Sequence, residues 1–215
     1  PSLALYAAQI KAARRRHENS PTRRREMNFV TPTGSTSHGS FIVHTEVNML
    51  SSDMVERLNK QINLEQYSSN LYLQMSAWCD HQGYVGSAAF LKEHAAEELT
   101  HMHKLFDYVS ETGALAVLGA LKAPPAKYKS LGEVFKTTYE HELAITKAIN
   151  GLVASALAEQ DFASFQFLQW YVSEQHEEER LFKSILDKIE IIGVEGKGLY
   201  FVDKEIGKLA GKSGS

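Results

Sequence analysis

Four stretches of this chain carry apolar residues at helical spacing, and a glutamate interrupts each seam near its middle. In the first, Leu58, Ile62, Glu65, Ser69 and Tyr72 follow the three/four spacing that aligns side chains on one helical face. Glu65 therefore points where Leu58 and Ile62 point. The second seam runs Leu91, His94, Glu98, His101, Leu105, and the third Leu131, Phe135, Thr138, Glu142, Ile145, Ile149, Leu152. The fourth reads Leu168, Tyr171, Gln175, Glu178, Phe182, Ile185, Ile189, and its Gln175-x-x-Glu178 repeats the spacing of Glu98-x-x-His101. An ionised carboxylate buried without a partner costs several kcal/mol, so four in one core would exceed the roughly 5–15 kcal/mol that holds a domain together. No lysine or arginine lies on these stripes at that level, which leaves protonation or bound metal. Two divalent cations would balance Glu65, Glu98, Glu142 and Glu178 charge for charge.

At 215 residues, 43% of them apolar, the chain suits one domain with a sizeable core plus appendages. The single cysteine, Cys79, can form no internal disulfide and is expected to be a buried structural thiol in a reducing compartment. No apolar run approaches the roughly 20 residues needed to span a membrane. The net charge of −3 hides an asymmetry: residues 1–48 hold seven Lys/Arg against three acids, the remainder sixteen against twenty-three. The basic arm contains Arg14-Arg15-Arg16, Arg23-Arg24-Arg25 and a polar run from Thr31 to Ser40, and it reads as a disordered extension. Met49-Leu50-Ser51 just before a helix start resembles a translation start, so residues 1–48 are expected to be upstream sequence and 49–215 the folded domain. A nucleic-acid-binding or targeting role for the arm is the competing reading.

From Ser51 the pattern predicts helices. The first runs from about Ser52, as N-cap, to about Gln82, with Gly83 as its left-handed stop. The second runs from about Gly86 to Thr112 and stops at Gly113. A capping box at Ser130-x-x-Glu133 opens the third, which ends near Ala158, and Asp161 caps a fourth that reaches about Ile192. A shorter fifth carries Leu199, Val202, Ile206 and Leu209 on one face. Short links make antiparallel hairpins of the first and second and of the third and fourth helices. The link from Gly113 to Lys129 could stretch about 56 Å at roughly 3.3 Å per residue, enough to run the length of the bundle. The expected fold is all-α, a four-helix bundle with one long crossover and a short C-terminal helix.

The residues from Met49 to about Lys208 resemble bacterial non-haem ferritins. The likeness is carried by Asn63-Leu64-Glu65-Gln66-Tyr67-Ser68-Ser69, by Glu97-Glu98-Leu99-Thr100-His101 and by the run from Phe167 to Glu179. The resemblance implies a ferritin-like fold in which Glu65, Glu98 and His101 hold one iron, and Glu98, Glu142 and Glu178 a second, with Glu98 bridging. Gln175 stands where a symmetric di-iron bundle has a second strong ligand, which weakens that half-site and favours release of oxidised iron. Glu97, Glu174 and Glu177 are offset by one residue from these ligands and by resemblance form a third iron site; by spacing alone they read as a solvated acidic face. Tyr72 resembles the near-site tyrosine of the family, a hydrogen-bond partner and electron donor, or else a satisfied core tyrosine. Trp170 is expected to pack in the core, and His94, His141 and His176 to be structural or surface residues. Leucine at 99, where bacterioferritins carry the haem-ligating methionine, implies no haem. The resemblance further implies a cytoplasmic ferroxidase and iron store: ferrous iron oxidised by dioxygen or hydrogen peroxide, and mineral held in a hollow shell of twenty-four subunits. Two other readings compete with it. A rubrerythrin-like peroxidase would need an electron-transfer module of four cysteines, and a DNA-binding mini-ferritin would lack the fifth helix.

Overall fold

The computed structural model describes residues 49–193 and 195–211, so the expectation of a disordered arm lies outside the described residues. Helix α1 spans Ser52–His81, α2 Val85–Glu111, α3 Leu131–Ala158, α4 Phe162–Ile192 and α5 Lys197–Gly207; there is no strand among the described residues. The protein is an all-α four-helix bundle with a short fifth helix.

Local chemistry sets the helix ends. Ser51, not Ser52, caps α1: its Oγ accepts the Met54 N–H at 3.1 Å. A cap reaches the amide three residues on, and here that amide belongs to Met54, the fully buried start of the seam. Ser130 Oγ accepts the Glu133 N–H at 3.1 Å, but the Glu133 carboxylate reaches back to the amide of Lys129, one residue earlier than in a regular capping box. Asp161 caps α4 through the Ser164 N–H at 3.0 Å. Gly83, at φ +85°, makes the left-handed turn between α1 and α2.

Helices α1 and α2 pack along each other, as do α3 and α4; α1 also meets α3. The crossover between the hairpins is clipped to α1 by two asparagines one turn apart. Asn59 Nδ2 donates to Leu115 O at 3.1 Å and its Oδ1 accepts from Val117 N at 2.8 Å, while Asn63 bonds Val117 O at 3.0 Å and Gly119 N at 2.6 Å. These bonds satisfy the backbone of a segment with no regular structure of its own.

α5 lies across the start of α2 and also touches α4. Tyr84 offers α2 no side-chain cap, and Asp203 from α5 replaces it, accepting from Gly86 N at 3.0 Å, Ser87 N at 2.8 Å and Ser87 Oγ at 2.7 Å. The helices touch glycine to glycine: a Cβ at Gly207 would lie 2.8 Å from Gly86 Cα, and one at Gly86 only 2.2 Å from Asp203 O. Leu209, expected on the α5 face, falls beyond the end of that helix but still packs on the core.

The apolar core has two parts. One gathers Leu71 to Cys79, Ala88 to Ala95, Leu131 to Phe135, Phe182 and Ile185; the other gathers Leu50 to Ile62, Met102 to Val109, Ile145 to Ala156, Leu168 and Tyr171. Along every helix of the bundle the break between them coincides with a glutamate. Cys79 is fully buried in the first part, as expected of a structural thiol, and burial pushes its pKa up to about 12.

Candidate metal centre

Each helix brings one element of the site to the gap between the two apolar clusters: Glu65 from α1, Glu98 and His101 from α2, Glu142 from α3, Gln175 and Glu178 from α4. None of the six is more than 6% exposed, so water cannot stabilise their charge. Glu65, Glu98 and His101 present ligand atoms within 4.8 Å of one another, with His101 Nδ1 at 3.7 Å from Glu98 Oε2.

Hydrogen bonds orient the carboxylates. Gln61 Nε2 donates to Glu65 Oε1 at 2.8 Å, the Tyr72 hydroxyl donates to Glu142 Oε1, and Gln175 Nε2 donates to Glu142 Oε2 at 2.9 Å. Gln175 thus spends its amide nitrogen on Glu142, leaving its carbonyl oxygen as the one atom it can offer a cation. The Tyr171 hydroxyl donates to His101 O at 2.7 Å, tying α4 to α2 beside the site. Glu65 Oε2 and Glu178 Oε2 remain buried with no hydrogen-bond partner in the protein.

Burial shifts all four acids toward their protonated form. Burial, opposed by the Gln61 and Glu98 hydrogen bonds, raises Glu65 to about 7. Glu98 is pushed well above the carboxylate range by burial and then by the charges of Glu142, Glu65 and Glu178. Burial raises Glu142 too, against the lowering effect of Tyr72 and Gln175, and it lifts Glu178 well above the usual range with help from Glu142. Burial, then the Lys104 charge, lowers His101 to about 4, which keeps its ring neutral and able to ligate. Oxygen-rich, with one imidazole and no thiolate, this donor set fits a labile ferrous ion, and its orphaned oxygens are the atoms a cation would satisfy.

Of the three residues expected to form a third site, Glu97 and Glu174 come together with His101 within 4.8 Å. Glu177 is exposed, joins neither of the groups that include Glu97, and acts on Glu97, Glu174 and Glu178 as a nearby negative charge. Trp170 is half-buried, edge-on to His101 at 5.2 Å, with Lys104 Nζ 4.4 Å from its ring centre. His141 bonds Ser68 Oγ at 2.8 Å and packs against Tyr72, while His176 is exposed. His94 is buried between Phe90 and Phe182, and it lies beside Glu97 and Glu178, the three offering ligand atoms within 4.8 Å. Its place on the same α2 stripe as Glu98 was the available signal. Gln61 was missed as well, although it stands one turn before Glu65.

The family described as "Ferritin-like domain" matches residues 55–192 of this sequence. The chain belongs to the ferritin family. Among curated ferritins, it is 61% identical over 165 residues to a probable bacterial non-heme ferritin-like protein of Haemophilus influenzae, covering 77% of this chain and all of the relative. It is 56% identical over 161 residues to the bacterial non-heme ferritin of Escherichia coli O157:H7, covering 75% of this chain and 98% of that ferritin. Among solved structures, an open pore ferritin from Archaeoglobus fulgidus aligns with a TM-score of 0.72 at 44% identity, over 74% of this chain and 96% of its own. Chlorobium tepidum ferritin aligns with a TM-score of 0.67 at 52% identity, over 74% of this chain and 97% of its own. The family match falls within the span of the four long helices.

Proposed function

We propose that this ferritin stores iron: it binds ferrous iron at the buried centre, oxidises it with dioxygen and deposits the ferric product as an oxyhydroxide mineral inside a shell of twenty-four copies. The reading rests on one observation above all, the convergence of Glu65, Glu98, Glu142 and Glu178 in a dry core with two oxygens left unpaired. Glu65, Glu98 and His101 would hold one ion and Glu98, Glu142 and Glu178 the other, with Glu98 shared and Gln175 a weak ligand through its carbonyl oxygen. Each ferrous ion gives up one electron, and dioxygen takes two with two protons to leave hydrogen peroxide. The protein supplies position and charge: incoming cations displace the carboxyl protons, and Tyr72 holds Glu142 in place. Glu97 and Glu174, with Glu177 beside them, give the oxidised ion an acidic path off the centre. A single bundle encloses no volume for mineral, and Ile191, Tyr200 and Phe201 expose apolar surface at the C-terminal end that self-association would cover. A cytoplasmic location completes the reading. No helix among the described residues is long and apolar enough to cross a membrane.

Glu98→Ala and His101→Ala test it. Both variants should assemble, with aerobic ferrous oxidation slowed at least tenfold in stopped-flow absorbance. Oxidation at the original initial rate in both would remove the centre, and a light-scattering mass near that of one chain would remove the shell.

A further inference from the structure

Gln61 stands one turn before Glu65 on α1 and is buried almost as deeply, 2% exposed against 1%. Its Nε2 donates to Glu65 Oε1 at 2.8 Å, while Glu65 Oε2 is buried with no hydrogen-bond partner. The two oxygens of one carboxylate therefore meet different surroundings. Glu142 does not share this division, since Tyr72 takes its Oε1 and Gln175 its Oε2.

Gln61 and Glu65 are four residues apart on one helix, so α1 alone builds the pair. The neutral donor is the informative choice. Lysine or arginine at this position would hold Glu65 more tightly but cancel the charge that attracts a cation, and leucine or methionine would leave both oxygens unpaired. The amide claims Oε1 and leaves the charge in place. A carboxylate binds a metal through one oxygen or through both. With an amide hydrogen on Oε1 fixing the plane of the group, Oε2 is the oxygen left to reach an ion, and Glu65 offers a ligand atom within 4.8 Å of those of Glu98 and His101.

We infer that Gln61 is a positioning residue of the proposed centre: it restricts Glu65 to one oxygen, Oε2, and so keeps a position open for dioxygen on the ion shared with Glu98 and His101. The inference rests on the reading of Glu65 as a ligand of that centre. Bound through both oxygens, the same carboxylate would fill the position that the oxidant needs, and iron would bind well but turn over slowly. Gln61 thus acts on the rate of oxidation and not on the capture of iron.

The test uses zinc, which dioxygen does not oxidise, soaked into crystals of the metal-free full chain. One Glu65 oxygen is expected about 2.1 Å from the zinc, with the other still on Gln61 Nε2. In Gln61→Met, of similar length but without the N–H, both oxygens should close on the zinc. Both oxygens on zinc in the parent overturn the inference and leave the centre standing, as does a single-oxygen contact that persists in Gln61→Met. Zinc that avoids Glu65 overturns the centre and the inference together. Steady-state oxidation gives a second reading: Gln61→Met should lower kcat roughly 10–100-fold, with KM for ferrous iron no higher than in the parent. A raised KM at unchanged kcat would mean that Gln61 only steadies Glu65 for binding, and would overturn the inference. The zinc map of the parent decides the matter whether or not Gln61→Met folds.

Discussion

Replacing Glu65 by glutamine should make the metal-free protein more stable at pH 8. Glu65 is 1% exposed, and burial lifts its carboxyl from 4.5 to about 7. The folded state therefore binds a proton that the unfolded chain releases above about 4.5. Its contribution to stability is fully present below that pH, declines as pH rises, and is exhausted above about 7. At roughly 1.4 kcal/mol per pH unit, the ionised carboxylate costs the fold about 3 kcal/mol at pH 8 and less than about 1 kcal/mol at pH 5. Glutamine is isosteric and neutral, and its oxygen can still accept from Gln61. The wild-type pH profile alone does not isolate this effect. His94, His101 and His141 are lowered to about 4, so their contribution runs the other way, present above about 6.5 and lost as pH falls toward 4. The difference between variant and parent cancels the histidines. Urea unfolding of both chelator-treated proteins, at one protein concentration from pH 5 to 8, should show a gain that grows by about 2.5 kcal/mol across the range. Saturating zinc should reverse the order, since the parent keeps a ligand that the variant lacks. A variant less stable than its parent by the same margin at pH 5 and pH 8 would refute the claim that burial penalises this carboxylate.

Three further outcomes follow from particular contacts. Tyr72→Phe removes a donor to Glu142, which should then hold its proton more firmly and move the pH midpoint of zinc binding up by about one unit; competition with a chromophoric chelator reads the midpoint, and no movement would deny Tyr72 that role. Gly86→Ala places a Cβ 2.2 Å from the Asp203 carbonyl oxygen and should lift α5 from the bundle, so hydrogen exchange ought to speed up at residues 197–207 while α3 keeps its protection. Asn63→Ala breaks bonds to Val117 and Gly119 and should cost about 1–3 kcal/mol, seen as a lower urea midpoint with unchanged slope.

The helices of the bundle were readable because burial imposes a period on the sequence and caps mark its ends; Ser130 and Asp161 were found by their spacing alone. The cap of α1 slipped by one residue because adjacent serines offer the same chemistry, and only the buried start of the seam at Met54 separates them. Glu65, Glu98, His101 and Glu142 were legible as charges on apolar stripes, and the structure brings them to one level. What was not legible depends on contacts between segments far apart in the chain. Asp203 caps a helix through the amide of Gly86, 117 residues earlier, and nothing local in either segment marks the pairing. Asn59 and Asn63 look like ordinary polar residues of an exposed helix face until the crossover lies against them. His94 sat on a stripe that had been read, but its neighbour Glu178 comes from another helix.

The division of the apolar core into two clusters bears on how quickly the centre can work. Each helix of the bundle is gripped above and below the polar layer, so a cation arriving at the proposed centre need not draw the helices together. Proton release and short swings of carboxylates are the motions left to it. On the proposed function, selectivity for the ion would reside in side chains that turn over with every cycle, while the frame that sets their spacing is untouched by filling and emptying.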